Sequence, residues 1–213
     1  MTAKAITTAT TMTKLARLLQ LASPTLPVGA YSYSQGLEAA VEAGVVHDAA
    51  SAERWIGDVL ELSVGSMEAP LLWKMLNGED CNELFLASRE TAELRAETLQ
   101  MGGSLALLLK DLNVGEATGS YPAVYAFAAR RWDIAPGDAL VAYLWSWLEN
   151  QVMAAVKAVP LGQTDGQRIL LFLGSRIESL ADEAKGMHPR NLAPGLAFLS
   201  SRHETQYSRL FRS

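Results

Sequence analysis

Gly137-Asp138-Ala139-Leu140-Val141-Ala142-Tyr143-Leu144-Trp145-Ser146-Trp147-Leu148-Glu149-Asn150-Gln151-Val152-Met153-Ala154-Ala155-Val156-Lys157-Ala158 is the stretch whose reading decides the fold. Leu140, Tyr143, Leu144, Trp147, Leu148, Val152 and Val156 return at steps of three and four, the period of an α-helix. Trp145 and Met153 carry the apolar surface around most of the circumference. A helix apolar on so many sides is expected at the centre of a bundle.

Apolar steps of three and four continue on either side, and alternating strand-like runs bounded by turn residues are scarce. The pattern predicts helices near 13–22, 34–43, 49–76 with a bend near Gly65 and Pro70, 81–112, 121–131, 137–158 and 165–184. Ser32 with Gln35, Asp80 with Glu83, and Thr164 with Gln167 have the spacing of helix-start capping pairs. Gly44 and Gly78 suit helix ends. No repeat appears, and no Gly-, Ser- or Pro-rich linker divides the chain. The expectation is an all-α fold: one compact domain of seven or more helices over 14–200, after a threonine-rich leader at 1–13 and before a partner-docking tail at 201–213.

Within the helix predicted over 81–112, positions 84, 87, 91, 94, 98, 101, 105 and 108 form an unbroken seam that begins with small residues. Gly102 and Gly103 each cost such a helix about 1 kcal/mol relative to Ala, which implies close approach of a neighbour. The seam suits intramolecular core or a dimer contact. The stretch Ala22–Glu38, with Pro24 and Pro27, reads as a rigid ordered loop feeding a capped helix, and an extended path would send Tyr31 and Tyr33 to the same side.

Composition narrows the function classes. The chain has 213 residues, 49% of them hydrophobic, enough for a substantial core. Cys81 is the one cysteine, so no internal disulfide can form, and it reads as a buried inert thiol. The uncharged run from Leu18 to Leu37 is broken by Pro24, Pro27 and Gly29, so no membrane span is expected, and no signal peptide is apparent; a cytoplasmic location follows. A pI near 5.3 disfavours nucleic acid as a partner. His47, His188 and His203 lack ligand partners at helical spacing and read as isolated surface residues, so no metal site is expected. Gly162 and Gly166 lack the Gly-Lys-Ser/Thr ending of a phosphate loop, and no pair of acids or nucleophile with base suggests an enzyme.

The charge is lopsided. From Lys185 onward Lys185, Arg190, Arg202, Arg209 and Arg212 face only Glu204, a net of +4 in a chain of -5. Thirteen Asp/Glu against four Lys/Arg lie between Glu38 and Glu97. Such asymmetry suits steered docking, although a solvated acidic face is the commoner cause. In the tail, Tyr207, Leu210 and Phe211 are spaced to share one face of a short helix beside Arg209 and Arg212. Aromatic residues and arginine are common interface anchors. Two readings stand: ordering by a partner, or folding back on the body. Lys157, at the end of the central helix, either covers apolar surface with its stem or meets an acidic partner.

Four segments in order, SPTLPVGAYSYSQGLE from Ser23, SRETAELRAETLQMGGSLALLL from Ser88, AVKAVPLGQTDGQRIL from Ala155 and HETQYSRLFRS from His203, resemble the signatures of UreF, a family of urease accessory proteins. The resemblance runs from about Leu15 to Ser213. It implies a non-catalytic, dimeric helical scaffold without a cofactor of its own. In that family nickel is handled transiently by the complex and GTP by the GTPase UreG. The scaffold bridges UreD (also called UreH) and UreG for nickel insertion into apo-urease, and regulation of GTP hydrolysis has been proposed for it. By the same resemblance Tyr207, Arg209, Leu210, Phe211 and Arg212 would dock on UreD, and Lys157 would contact UreG. Tyr31 stands where phenylalanine is usual and Tyr121 where histidine is common; the second departure removes histidine-based nickel handling at that position. A generic helical adaptor, gripping an acidic partner with the basic tail, is the alternative.

Overall fold

In the computed structural model, residues 13–213 are described, so the predicted leader lies, apart from Thr13, outside the described residues. The elements run α1 (13–21), a 3-10 turn (Ala30–Ser32), α2 (Leu37–Glu42), α3 (Ala49–Val59), a π-helical segment (Leu60–Glu68), α4 (Ala69–Leu76), α5 (Asn82–Ala87), α6 (Ala92–Asp111), α7 (Tyr121–Arg131), α8 (Pro136–Ala158), α9 (Gln163–Gly174), α10 (Ile177–Ala184) and α11 (Pro194–His203). The fold is all-α, with no strand among the described residues, and forms a single compact unit. None of the helices described is long and apolar enough to cross a membrane.

The central position expected for α8 is what the structure shows. It packs against α2, α3, α4, α7, α9 and α10, burying Leu140, Leu144, Leu148 and Val152, while Trp145 and Met153 face outward. Burying each such side chain contributes roughly 1.5–3 kcal/mol. Tyr121, Tyr125 and Tyr143 cluster between α7 and α8 with ring centroids 5.3–6.0 Å apart. Cys81 is buried, as expected, and burial pushes its thiol above the ordinary value.

The bend expected near Gly65 and Pro70 is a run of wider π-turns. A Cβ on Gly65 would stand 2.9 Å from the Leu60 carbonyl oxygen. Ser66 Oγ donates to Leu62 O at 2.7 Å, and the chain after α10 docks alongside, Leu192 N donating to Leu62 O and Arg190 N to Ser66 O, each at 2.9 Å. Pro70 lies inside the continuous helical run and has no amide to donate, and the Ser66 carbonyl four residues before it accepts from Arg190 N instead. At the end of the π segment Glu68 points into the core. It meets Arg89 Nη1 at 2.6 Å and accepts from Tyr143 Oη at 3.0 Å. Both charged side chains are about 5% exposed, and removing one partner of such a pair costs on the order of 3–5 kcal/mol.

Several predicted boundaries require correction. The helix over 81–112 breaks between α5 and α6, because Arg89 turns inward to Glu68 and Thr91 caps α6, its Oγ1 accepting from Leu94 N at 3.2 Å. The seam therefore begins at Thr91, and Leu84 is exposed. Leu94, Thr98, Met101 and Leu105 are buried inside the molecule, which makes the seam intramolecular core. The helix over 165–184 breaks between Gly174, packed on Trp145, and Ile177. Helix α11 was not predicted. None of the three capping pairs closes: Gly36, Cys81 and Gly162 stand at those helix starts, Gln35 spends its side chain elsewhere, and only Asp80 caps in part, its Oδ1 accepting from Asn82 N at 3.1 Å. A capping box forms instead at Asp48 and Ser51. Gly44 and Gly78 end α2 and α4 with positive φ, as expected. Tyr31 and Tyr33 diverge, because the 3-10 turn leaves Tyr31 75% exposed and Tyr33 buried.

Candidate functional site

The terminal segment does not form a helix. After α11 it runs irregularly across α2, α6 and the loop before α2, so the one-face arrangement of Tyr207, Leu210 and Phe211 is corrected: Tyr207 is fully exposed, Leu210 half-exposed and Phe211 buried. The reason is the density of polar anchors, which fix an extended path. Leu210 N and Phe211 N donate to the two oxygens of Glu38 at 2.6 and 2.8 Å. Arg209 Nη1 reaches Glu93 Oε1 at 2.6 Å, and its Nη2 donates to the Glu204 carbonyl. Arg212 N donates to Ser32 O at 2.7 Å. The Ser213 main-chain oxygen accepts from Ser34 N, Ser34 Oγ and Gln35 N, and Ser213 Oγ donates to Glu97 at 2.8 Å.

This closure sets the loop in turn. Gln35 holds a positive φ of 51°, a strained conformation for a residue with a side chain. Its side chain is fixed at both ends, accepting from Trp147 Nε1 at 2.7 Å and donating to Glu97 Oε1 at 2.6 Å. Tyr33 Oη donates to Gln100 at 2.7 Å, and Asn150 Nδ2 donates to Tyr33 O at 3.3 Å. Glu97 is buried between Ser213 and a cavity of about 220 Å³ that Glu68, Arg89 and Trp147 also line. Burial pushes the Glu97 carboxyl up to about 7, against the downward pull of the hydrogen bonds from Gln35 and Ser213.

Lys157 lies at the exposed end of α8, and its ammonium sits 4.9 Å from the centre of the Phe211 ring. The fold thus brings two separately predicted features, Lys157 and the tail, into one surface. The side chains that hold the tail, Glu38, Glu93, Glu97 and Ser34, and those that hold these carboxylates in turn, Gln35 and His203, were not predicted. Their signal in the sequence was the acidic run from Glu38 to Glu97, whose counter-charge is in part the tail itself. Reading His203 as a surface residue is corrected: it is fully buried, with Nδ1 2.7 Å from Glu93 Oε2 and Nε2 3.3 Å from Glu38 Oε2. Hydrogen-bonded carboxylates on both sides make that burial tolerable. His47 and His188 are exposed. Among the described residues no group of three or more His, Cys, Asp or Glu is arranged to hold a metal ion.

The sequence profile of UreF matches residues 46–174, from just before α3 through α9. The urease accessory protein UreF of Azoarcus sp. (strain BH72) is 56% identical, over 93% of this chain and 95% of its own length. That of Dechloromonas aromatica (strain RCB) is 52% identical, over 95% of this chain and 99% of its own. The chain belongs to the UreF family. The bifunctional urease accessory protein UreEF of Bordetella bronchiseptica matches 94% of this chain at 47% identity, with 52% of its own length. The UreF profile stops short of the terminal segment, whereas the full-length UreF relatives align over nearly the whole chain. In this UreF-family fold position 121 belongs to the buried tyrosine cluster, and burial pushes that hydroxyl well above its ordinary value.

Proposed function

We propose that this member of the UreF family, a urease accessory protein, is a non-catalytic cytoplasmic scaffold that bridges UreD (UreH) and the GTPase UreG during nickel insertion into apo-urease. Nickel is cargo of the complex and GTP belongs to UreG; the chain works as a homodimer and influences GTP hydrolysis through its partner. The observation that carries this reading is family membership over nearly the whole chain, at 56% and 52% identity to two UreF proteins. The relative UreEF devotes about half its length to this unit, which supports assembly with other maturation factors. The tail supports a docking role in a specific way. Tyr207 is fully exposed and Leu210 half-exposed on a segment whose backbone is already fixed, so anchors of the kind that dominate interfaces are presented at reduced ordering cost. Lys157 beside Phe211 extends the same surface toward UreG. The generic adaptor reading is less supported, because Arg209 is neutralised by the chain's own Glu93.

The test is capture of UreD by the purified chain. Tyr207→Ala with Leu210→Ala removes two exposed side chains without touching the anchoring bonds. It is expected to weaken capture about tenfold or more, at the 1–2 kcal/mol scale of interface anchors. Capture at the wild-type level would remove both residues from the docking surface. Lys157→Glu is expected to reduce recruitment of UreG to the complex, and unchanged recruitment would remove Lys157.

A further inference from the structure

The terminal segment is tied down by two carboxylates from different helices, Glu38 of α2 and Glu93 of α6, and a third group lies between them. His203, the last residue of α11, is fully buried and has one ring nitrogen against each carboxylate. A neutral imidazole donates from one nitrogen only and would turn the lone pair of the other onto a carboxylate oxygen; only the doubly protonated ring donates to both. We infer that His203 is the positioning residue of the terminal segment: its imidazolium ties Glu38 to Glu93, and those carboxylates in turn hold the amides of Leu210 and Phe211 and the guanidinium of Arg209. The inference deepens the docking reading, because the residues placed this way are the ones assigned to UreD.

The charges facing the ring come from each packed element. Glu38 belongs to α2, Glu93 to α6, and Arg209 to the tail. Glu204 is close by, its Oε1 accepting from Glu93 N at 3.2 Å, and Glu97 lies one helical turn along α6 from Glu93. Arg209 occupies one oxygen of Glu93, so without a proton on each ring nitrogen Glu38 has no cationic partner among these groups. A backbone amide held by an ionised carboxylate is bonded more strongly than one held by a neutral acceptor, and the His203 ring fixes the carboxylate of Glu38 in the orientation that meets both amides. Removing the ring therefore loosens Leu210 and Phe211 first.

The experiment uses the full free chain with labelled histidine. The His203 ring nitrogens and the exchange protection of the Leu210 and Phe211 amides are followed by NMR from about pH 6 to about pH 9. The expected result is an imidazolium signature in the ring wherever both amides are protected. His203→Gln is expected to lower that protection about tenfold at neutral pH, while Glu97→Gln leaves the Leu210 and Phe211 amides near wild-type protection. A ring that is neutral at every pH where the amides stay protected would overturn the inference, and this wild-type readout holds even if His203→Gln folds poorly. So would wild-type protection in His203→Gln. No partner is present, so failure of UreD capture would count against the docking reading alone.

Discussion

Glu97 is a carboxyl group held out of water by the segment that ends the chain, and its chemistry follows from that enclosure. Desolvation disfavours the anion and raises the group from its ordinary value of 4.5 to about 7. The folded molecule therefore binds this proton more tightly than the unfolded chain does. The resulting stabilisation is complete below about pH 4.5 and is lost as pH rises through about 7, amounting to roughly 3 kcal/mol. Glu97→Gln keeps one acceptor and gains donors but cannot ionise. Urea midpoints taken at about pH 5 and about pH 8 should show the wild type losing 2–3 kcal/mol relative to the variant, on that order, between the two conditions. A constant difference would mean that Glu97 titrates normally and that water reaches it.

At the scale of elements, α6 carries two adjacent glycines with opposite roles. A Cβ on Gly102 would lie 2.3 Å from the Gly119 carbonyl oxygen and 2.8 Å from the Ser120 carbonyl carbon, so the backbone entering α7 would have to move. A Cβ on Gly103 would meet nothing within 4 Å. Gly102→Ala is expected to destabilise by about 2 kcal/mol or more through overpacking, and Gly103→Ala to stabilise by about 0.5–1 kcal/mol through helix propensity. Thermal unfolding of the pair checks this, and equal shifts of the same sign would discard the close approach. The sequence already implied that contact, because two glycines in a helix interior demand compensation, but it could not tell which glycine bore it. The all-α class, the central α8 and the ends of α2 and α4 at Gly44 and Gly78 were legible because each rests on local periodicity or a local backbone rule. The break before Thr91, the π-turns over Leu60–Glu68 and helix α11 were not. They depend on partners remote in sequence: Glu68 for Arg89, and Arg190 and Leu192 for the carbonyls of the π segment.

For the whole molecule, the separation of charge along the chain is partly cancelled by folding. The acidic run from Glu38 to Glu97 supplies Glu38, Glu93 and Glu97, and these receive Arg209, the Leu210 and Phe211 amides and the Ser213 hydroxyl. The basic end therefore cannot be read as a free adhesive arm, a distinction invisible to charge counting because it rests on contacts more than a hundred residues apart. The assigned docking residues accordingly divide. Tyr207 and Leu210 face out, while Phe211 is spent inside the molecule, so any partner that claims Phe211 must first displace the chain's own bonds and binds less tightly by that amount. The cost can be measured without the partner. Deleting residues from Glu204 onward leaves every helix intact but strips Glu38 and Glu97 of their covers and leaves the site of the Phe211 ring empty. Helical circular dichroism should stay near wild type. Stability should fall by roughly 3 kcal/mol, the sum of one buried aromatic ring and a few net hydrogen bonds. In a chain of this length that corresponds to a drop in Tm of about 6–12 °C. A truncated chain that melts with the full one would show that the closed segment adds no stability, and a partner could then take Phe211 at no cost to the fold.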